Sequence, residues 1–193
     1  MRCELKQAKE VYRSSQRISR RTAGGSERGM ARSAFYSFHY TPDCWRASQV
    51  RNMGVIDGNK PASDNDWEQV TRRGDQAIQN WIEGQLNGRS CAIVLIGQNT
   101  AARKWINYEI STAWNQNKGV LGVYVHRLRD ASGYQCNKGG NPFDHVTFTS
   151  SGRPLSTVVQ TYDTPYDSKE AYGYIQSNLS AWIEEAIRIR ASN

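Results

Sequence analysis

The chain has 193 residues, a formal net charge of +7, six tryptophans and 38% hydrophobic residues. This length is enough for one domain with a proper core and too short for two ordinary ones. No apolar stretch approaches the roughly 20 residues that span a membrane, and the N-terminus has no apolar run of the signal-peptide type. We therefore predict a cytoplasmic protein with no membrane partner.

The positive charge is concentrated in the first 30 residues, which hold eight Lys or Arg against three Glu, a net charge of +5. The other residues carry 17 basic and 15 acidic groups, a net charge of only +2. We interpret residues 1–29 as a basic, flexible arm and residues 30–193 as a single domain. Because the domain lacks the charge excess of nucleic-acid-binding proteins, we predict no nucleic-acid partner. The alternative is that the basic arm binds nucleic acid, in which case the binding would be sensitive to salt.

The first predicted strand covers Ala34 to Tyr40. A loop holding Thr41-Pro42-Asp43 follows, and then a short helix from about Trp45 to Asn52. Val55 and Ile56 are a candidate short strand, and Asp57 to Pro61 has the composition of a turn. A second helix is predicted after Ser63-Asp64, because Trp67, Val70, Gly74, Ala77, Ile78, Trp81 and Ile82 fall on one face and Asn87-Gly88 ends the pattern.

The run from Cys91 to Gly97 is continuously apolar, which is typical of a strand covered on both faces. Asn99 or Thr100 is predicted to cap a helix over Ala101 to Asn117. In that helix Glu109 falls on the shoulder of the apolar stripe, roughly 85° from its centre at 100° per residue. We therefore expect a carboxylate that is neither fully solvated nor fully buried.

The last third of the chain predicts a strand from Val120 to His126 and a loop from Leu128 to about Pro154, with short strand character at Val146 to Thr149. An edge strand from Ser156 to Tyr162 and a final amphipathic helix from about Tyr172 to Ala186 complete the pattern. Strands that alternate with helices predict an α/β flavodoxin-like three-layer sandwich with a central, mainly parallel sheet. In such sheets ligands bind at the carboxyl ends of the strands.

Several familiar sites are missing from the sequence. There is no glycine-rich dinucleotide or phosphate loop and no Gly-x-Ser-x-Gly elbow. The three His lack metal-ligand spacing and the four Cys form no Cys-x-x-Cys pair, so we predict no metal and no bound cofactor. What remains at the strand ends is Glu109 together with Ser37, Phe38, His39 and Tyr40. An ordinary border glutamate and aromatic residues that simply close the core are the alternative interpretation. Asp43 and Asp66 are interpreted as loop or cap carboxylates.

Four segments in the same order resemble the bacterial TIR-like proteins of the Thoeris antiphage system, the ThsB group. These are Phe35-Tyr-Ser-Phe-His-Tyr40, Val50-Arg-Asn52, Trp105-Ile-Asn-Tyr-Glu-Ile110 and Asn141-Pro-Phe-Asp144. The resemblance implies an NAD⁺ nucleosidase or cyclase that cleaves the nicotinamide–ribose bond. It also implies a cyclic ADP-ribose-type signal in antiviral defence, which a separate effector protein binds. Self-association is left open.

The resemblance also implies roles for individual residues. The Trp-x-x-x-Glu match makes Glu109 the catalytic residue, and the segment Ser37 to Tyr40 contacts the substrate. Trp105 is interpreted either as a wall of the pocket or as a buried packing residue. One carboxylate suffices for this reaction, because the leaving nicotinamide is already cationic and only the positive charge on the ribose needs stabilisation. NAD⁺ is then a substrate and no cofactor is needed. The alternative function is a non-catalytic TIR-like module for protein interaction and signalling.

Overall fold

A four-stranded parallel sheet forms the centre of the described part of the chain. Its strands lie side by side in chain order: β1 (Ala34–Phe38), β2 (Cys91–Ile96), β3 (Gly119–Tyr124) and β4 (Thr161–Tyr162). The computed structural model describes residues 32–55, 70 and 72–193. From Arg32 onward these residues belong to one compact unit, whereas the predicted arm of residues 1–29 lies outside them.

Within the described ranges, four helices cover the two faces of this sheet. On one face lie α1 (Tyr40–Arg51) and α4 (Ser168–Ala191), and on the other lie α2 (Asp75–Leu86) and α3 (Lys104–Asn115). Strand β2 is buried along its whole length, and its side chains alternate between the two apolar clusters. Each fully buried Ile, Leu or Val contributes about 1.5–3 kcal/mol. The predicted α/β three-layer architecture is confirmed.

The first helix begins earlier than predicted. Strand β1 ends at Phe38, and α1 starts at Tyr40 and includes the segment Thr41-Pro42-Asp43 that was expected to be a loop. Proline is compatible with the first turn of a helix, because the N–H that it lacks has no partner there. The turn composition of this segment therefore predicted the wrong structure.

Two further helix predictions differ from the structure. Gly74, placed inside a helix, is the N-cap residue of α2 with a φ of +86°, a left-handed conformation that interrupts a helix. Helix α3 begins at Lys104, after Ala102 with a φ of +60°. Thr100 does not cap this helix, because its hydroxyl accepts a hydrogen bond from the Gly97 N–H at 2.9 Å.

Four of the earlier predictions lie wholly or partly outside the described residues. Residues 56–69 lie outside the described ranges, and they include Ile56, the predicted turn at Asp57 to Pro61, Asp66 and the first part of the second predicted helix. Val55 is described and is not in a strand.

The connection after β3 is less regular than expected. Short 3₁₀ helices cover Pro142–His145 and Leu155–Thr157, and the strand predicted at residues 146–149 is reduced to one bridge between Thr147 and Pro154. Strand β4 has only two residues. Helix α4 is capped by Asp167, whose carboxylate accepts from the N–H groups of Lys169 and Glu170. None of the helices in the described ranges is long and apolar enough to cross a membrane.

Candidate active site

A hydroxyl and a carboxylate meet at the carboxyl end of β1. Ser37 follows Phe35 by two residues, so its side chain points to the face that α2 and α3 cover. Its Oγ donates a hydrogen bond to Oε2 of Glu109 on α3. Ser37 is 1% exposed and Glu109 is 7% exposed. The structure therefore brings together two of the predicted site residues, which are 72 positions apart in the chain.

Glu109 is more deeply buried than the helical pattern predicted. The expectation of a half-exposed carboxylate on the shoulder of the apolar stripe was wrong, because α3 packs against β1 as well as against β2 and β3. A helical wheel gives the angle of a side chain but not how far the neighbouring elements extend over it. Here the end of β1 covers the shoulder and encloses the carboxyl group.

Burial raises the pKa of Glu109 to about 8, and the hydrogen bond from Ser37 opposes this by stabilising the carboxylate. In the ligand-free site most Glu109 side chains are therefore protonated at neutral pH. A cation bound beside Glu109 would lower its pKa and favour the carboxylate. The site is therefore suited to a ligand that brings a positive charge.

His39 and Arg103 border the same strand end. His39 is half-buried, its Nδ1 has no hydrogen-bond partner within the described part of the chain, and burial lowers its pKa with a smaller effect of Arg103 in the same direction. Arg103 lies directly before α3 and donates from Nε to the Asn99 carbonyl at 2.9 Å. Sequence reasoning did not select Arg103, since a single arginine before a helix has no distinguishing pattern.

The aromatic candidates are distributed over both faces of the sheet. Phe38 packs against the apolar cluster of the α1 and α4 face, opposite to Ser37, and its ring centroid is 6.1 Å from that of Tyr40 at the start of α1. Trp105 lies on α3, one turn before Glu109, and is partly buried against the cluster of the other face. The Lys104 ammonium lies 4.6 Å from the centroid of its ring. Of these three residues, Trp105 shares a helix with Glu109.

A buried charged pair on α1 lies next to the residue that follows β2. Asp43 is 1% exposed and lies 3.4 Å from Arg46, and its second oxygen, Oδ2, has no partner among the described residues. Its carboxylate lies against Gly97, directly after β2, where any side chain would collide with it. Arg46 also donates to the Leu128 carbonyl at 2.8 Å. The interpretation of Asp43 as a loop or cap carboxylate was therefore wrong, because Asp43 lies within α1 and is buried. The sequence feature that pointed to the pair was the helical spacing from Asp43 to Arg46.

The described ranges contain no group of three His, Cys, Asp or Glu that could hold a metal ion. Cys91 is a buried thiol within β2, and burial raises its pKa above the ordinary value. The groups at the carboxyl end of β1 are thus a carboxyl, a hydroxyl, an imidazole and a guanidinium.

Comparison with known proteins identifies the family. The family model described as "Thoeris protein ThsB, TIR-like domain" matches residues 35–130. A protein of Bacillus cereus (strain MSX-D12), named ThsB1 and designated a candidate cyclic ADP-D-ribose synthase, is 34% identical over 133 residues, which are 65% of this chain and 69% of that protein. The family-model match spans β1 except its first residue and all of β2, α3 and β3, and thus the elements that carry Ser37 and Glu109. The chain belongs to the TIR-like domain family of the Thoeris ThsB proteins.

Proposed function

We propose that this protein is a TIR-type NAD⁺ nucleosidase and cyclase, with Glu109 as its catalytic carboxylate. The observation that carries the proposal is the enclosed Glu109 carboxyl, which accepts a hydrogen bond from Ser37 at the carboxyl end of a parallel sheet. The name of the related ThsB1 protein supports the same reaction class.

The reaction breaks the bond between C1′ of the ribose and the nicotinamide nitrogen. Nicotinamide leaves with the bonding electron pair and becomes neutral, while positive charge develops on the ribose ring. A carboxylate at this point stabilises that charge electrostatically, and it does so most strongly in a site from which water is excluded. No general acid is needed, and no cofactor other than the substrate NAD⁺.

The raised pKa of Glu109 fits this chemistry. The pyridinium of bound NAD⁺ is a cation beside a carboxyl whose pKa is about 8, so substrate binding and ionisation of Glu109 favour each other. Ser37 stabilises the carboxylate form through its hydrogen bond. We assign His39 to the ribose and the rings of Tyr40 and Trp105 to the nicotinamide, and Phe38 serves as a packing neighbour of Tyr40.

The product that we propose is a cyclic isomer of ADP-ribose. The cation at C1′ is captured by an adenine nitrogen or a ribose hydroxyl of the same molecule. A hydroxyl that attacks passes its proton to Glu109 or to water. An adenine ring nitrogen that attacks carries no proton, so the positive charge moves onto the adenine, whose amino group can then release a proton to water. Capture from within requires that the folded ADP-ribose lies closer to C1′ than water does. A separate effector protein then binds this signal in antiviral defence. Self-association and a cytoplasmic location, where NAD⁺ is available and the Cys91 thiol stays reduced, belong to the same proposal.

The test compares the full-length parent with Glu109→Gln in cells that are infected with phage, because infection provides the activating conditions. Mass spectrometry of the lysates is expected to show free nicotinamide and a product lighter than ADP-ribose by one water in the parent. Glu109→Gln is expected to lose at least about a hundredfold of this activity. Glu83→Gln is the matched control, because Glu83 is an exposed glutamate on α2 that accepts from Tyr108 at 2.7 Å.

Three outcomes would contradict parts of this proposal. Equal NAD⁺ cleavage by Glu109→Gln and the parent would remove the role of Glu109. Linear ADP-ribose as the sole product would remove the cyclisation step. An infected parent that releases no nicotinamide would favour a non-catalytic interaction module.

A further inference from the structure

A second group of polar side chains lies at the carboxyl ends of β3 and β4 and takes no part in the site around Glu109. His126 follows β3 by two residues, and Asp163 follows β4 directly. Lys138 comes from the long connection after β3, and its Nζ lies 2.7 Å from Oδ2 of Asp163 and 4.4 Å from the centroid of the Tyr124 ring. The three residues form a cluster that we call the His126 cluster.

The buried member of the His126 cluster has an unmet hydrogen-bonding requirement. His126 is 1% exposed, and neither of its ring nitrogens has a hydrogen-bond partner among the described residues. Its Nε2 is 3.9 Å from Oδ1 of Asp163, which is too long for a hydrogen bond. A buried polar group without a partner is destabilising, because it has lost its hydrogen bonds to water. In native proteins such a group is usually paired with protein, water or ligand.

The charges around His126 are mostly positive. Burial is the main cause that lowers the pKa of His126, and the cations Arg127, Lys138 and Arg46 lower it further, against the single carboxylate of Asp163. Arg46 is already paired with Asp43 and Asp130. Lys138, which is paired with Asp163, and Arg127 are the other two cations near His126, and the guanidinium of Arg127 lies 4.4 Å from the Tyr166 ring centroid. Lys138 and Asp163 are each about half exposed, so a ligand can reach them from solvent.

The connection that carries Lys138 also reaches the end of β2. Gly139 packs directly against the carbonyl of Gly97, and the Asn137 N–H donates to Oε1 of Gln98 at 3.3 Å. The His126 cluster and the Ser37–Glu109 pair therefore both lie at the carboxyl ends of the strands of the same sheet. Their strands, β3 and β1, are two positions apart, which corresponds to about 10 Å at the spacing of neighbouring strands.

We infer that the His126 cluster, together with the neighbouring Arg127, is a diphosphate subsite for the NAD⁺ that Glu109 cleaves. Lys138 and Arg127 bind the phosphate oxygens, and His126 donates a hydrogen bond to one of them. This inference rests on the proposed function and extends it to the second half of the substrate. Asp163 accepts a hydrogen bond from a hydroxyl of the adenosine ribose, the type of contact that carboxylates make in other dinucleotide sites. The ligand class is a nucleoside diphosphate.

An anchor at the diphosphate has a consequence for the product. Holding the middle of NAD⁺ fixes the ribose above Glu109 and leaves the adenine free to fold back toward C1′. An enzyme that held the adenine in a distant pocket would oppose ring closure, whereas a diphosphate anchor brings the nucleophile and the cation together. The subsite thus accounts for a preference for the cyclic product over hydrolysis.

Binding without turnover tests this inference. The full-length protein is titrated with ADP, inorganic pyrophosphate, adenosine and sulfate, and the resonances of the His126 ring are followed by NMR. We expect ADP and pyrophosphate to shift the His126 signals and to raise the pKa of this histidine, because a bound anion stabilises the imidazolium. Adenosine and sulfate are expected to bind much more weakly.

The variant Lys138→Gln should weaken ADP binding by about tenfold or more, since it removes a charge-assisted hydrogen bond. Lys118→Gln is the matched control, because Lys118 lies directly before β3, at the amino ends of the strands and so away from the proposed subsite. Its Nζ donates to the Arg89 carbonyl at 2.9 Å. Its ADP affinity should equal that of the parent. A further variant, Asp163→Asn, should weaken ADP but not pyrophosphate, which has no ribose.

Equal ADP affinity in Lys138→Gln and the parent would overturn the inference, as would equal binding of sulfate and ADP. A failure of the proposed function is distinguishable from both results. In that case Glu109→Gln would leave NAD⁺ cleavage unchanged, or the infected parent would release no nicotinamide, while the ADP titration would still decide whether the subsite exists.

Discussion

Replacing Glu109 by Gln should change how the stability of the protein depends on pH. The pKa of Glu109 is about 8 in the folded chain and 4.5 in its ordinary state. The folded state therefore binds more protons than the unfolded state between these two values. The stabilisation is fully present below pH 4.5 and is lost as the pH rises toward 8. The isosteric amide of Gln has no proton to lose, so the variant lacks this dependence.

The size of the effect follows from the two pKa values. Each pH unit within this window costs the parent up to about 1.4 kcal/mol of unfolding free energy. Between pH 5 and pH 7.5 the parent should lose about 3 kcal/mol relative to Glu109→Gln. For a chain of this length, that corresponds to a difference in melting temperature of roughly 6–12 °C.

Calorimetry of the parent and the variant at several pH values between 5 and 8 measures this difference directly. Other titrating groups affect both proteins alike and cancel when the curves are subtracted. Glu83→Gln, with its exposed side chain, should follow the parent. Parallel curves for Glu109→Gln and the parent would show that the folded protein does not raise the pKa of Glu109, and the argument from burial would fail.

Four further predictions concern the site and the packing of the elements around it. The rate of nicotinamide release at low NAD⁺ should rise with pH until Glu109 is ionised at about pH 8. Ser37→Ala should move that rise to a pH about one unit or more higher, because the hydrogen bond from Ser37 stabilises the Glu109 carboxylate and the variant lacks it. An unchanged pH profile would contradict the role of Ser37. Gly97→Ala should cost about 1–3 kcal/mol in urea unfolding by collision with Asp43, and less in a background of Asp43→Ala, whereas strictly additive losses would argue against this contact. Asp167→Ala should lower the unfolding free energy by about 1 kcal/mol through loss of the α4 cap, and a change below the error of the measurement would show that α4 does not need it.

Much of the fold was predictable because local patterns and burial agree. The run from Cys91 to Ile96 is apolar at every position, and a run of this length is typical of a strand covered on both faces. Alternation of this strand with amphipathic helices then implies parallel pairing and a three-layer sandwich. The helix boundaries were harder to predict, as Gly74 and Ala102 show. Both residues have a left-handed φ, and the residue type alone does not predict that conformation, because it depends on tertiary packing.

For the candidate site, the sequence by itself determined which residue types stand at which strand ends. Glu109 in a Trp-x-x-x-Glu helix and Ser37 at the end of an apolar strand were both visible in this way. Their contact was not, because a hydrogen bond across 72 residues depends on how α3 lies against β1. The burial of Glu109, and with it a pKa of about 8, follows from that same packing. The grouping of His126, Lys138 and Asp163 was likewise decided only by the tertiary structure, since parallel pairing brings strand ends from distant parts of the chain to one edge.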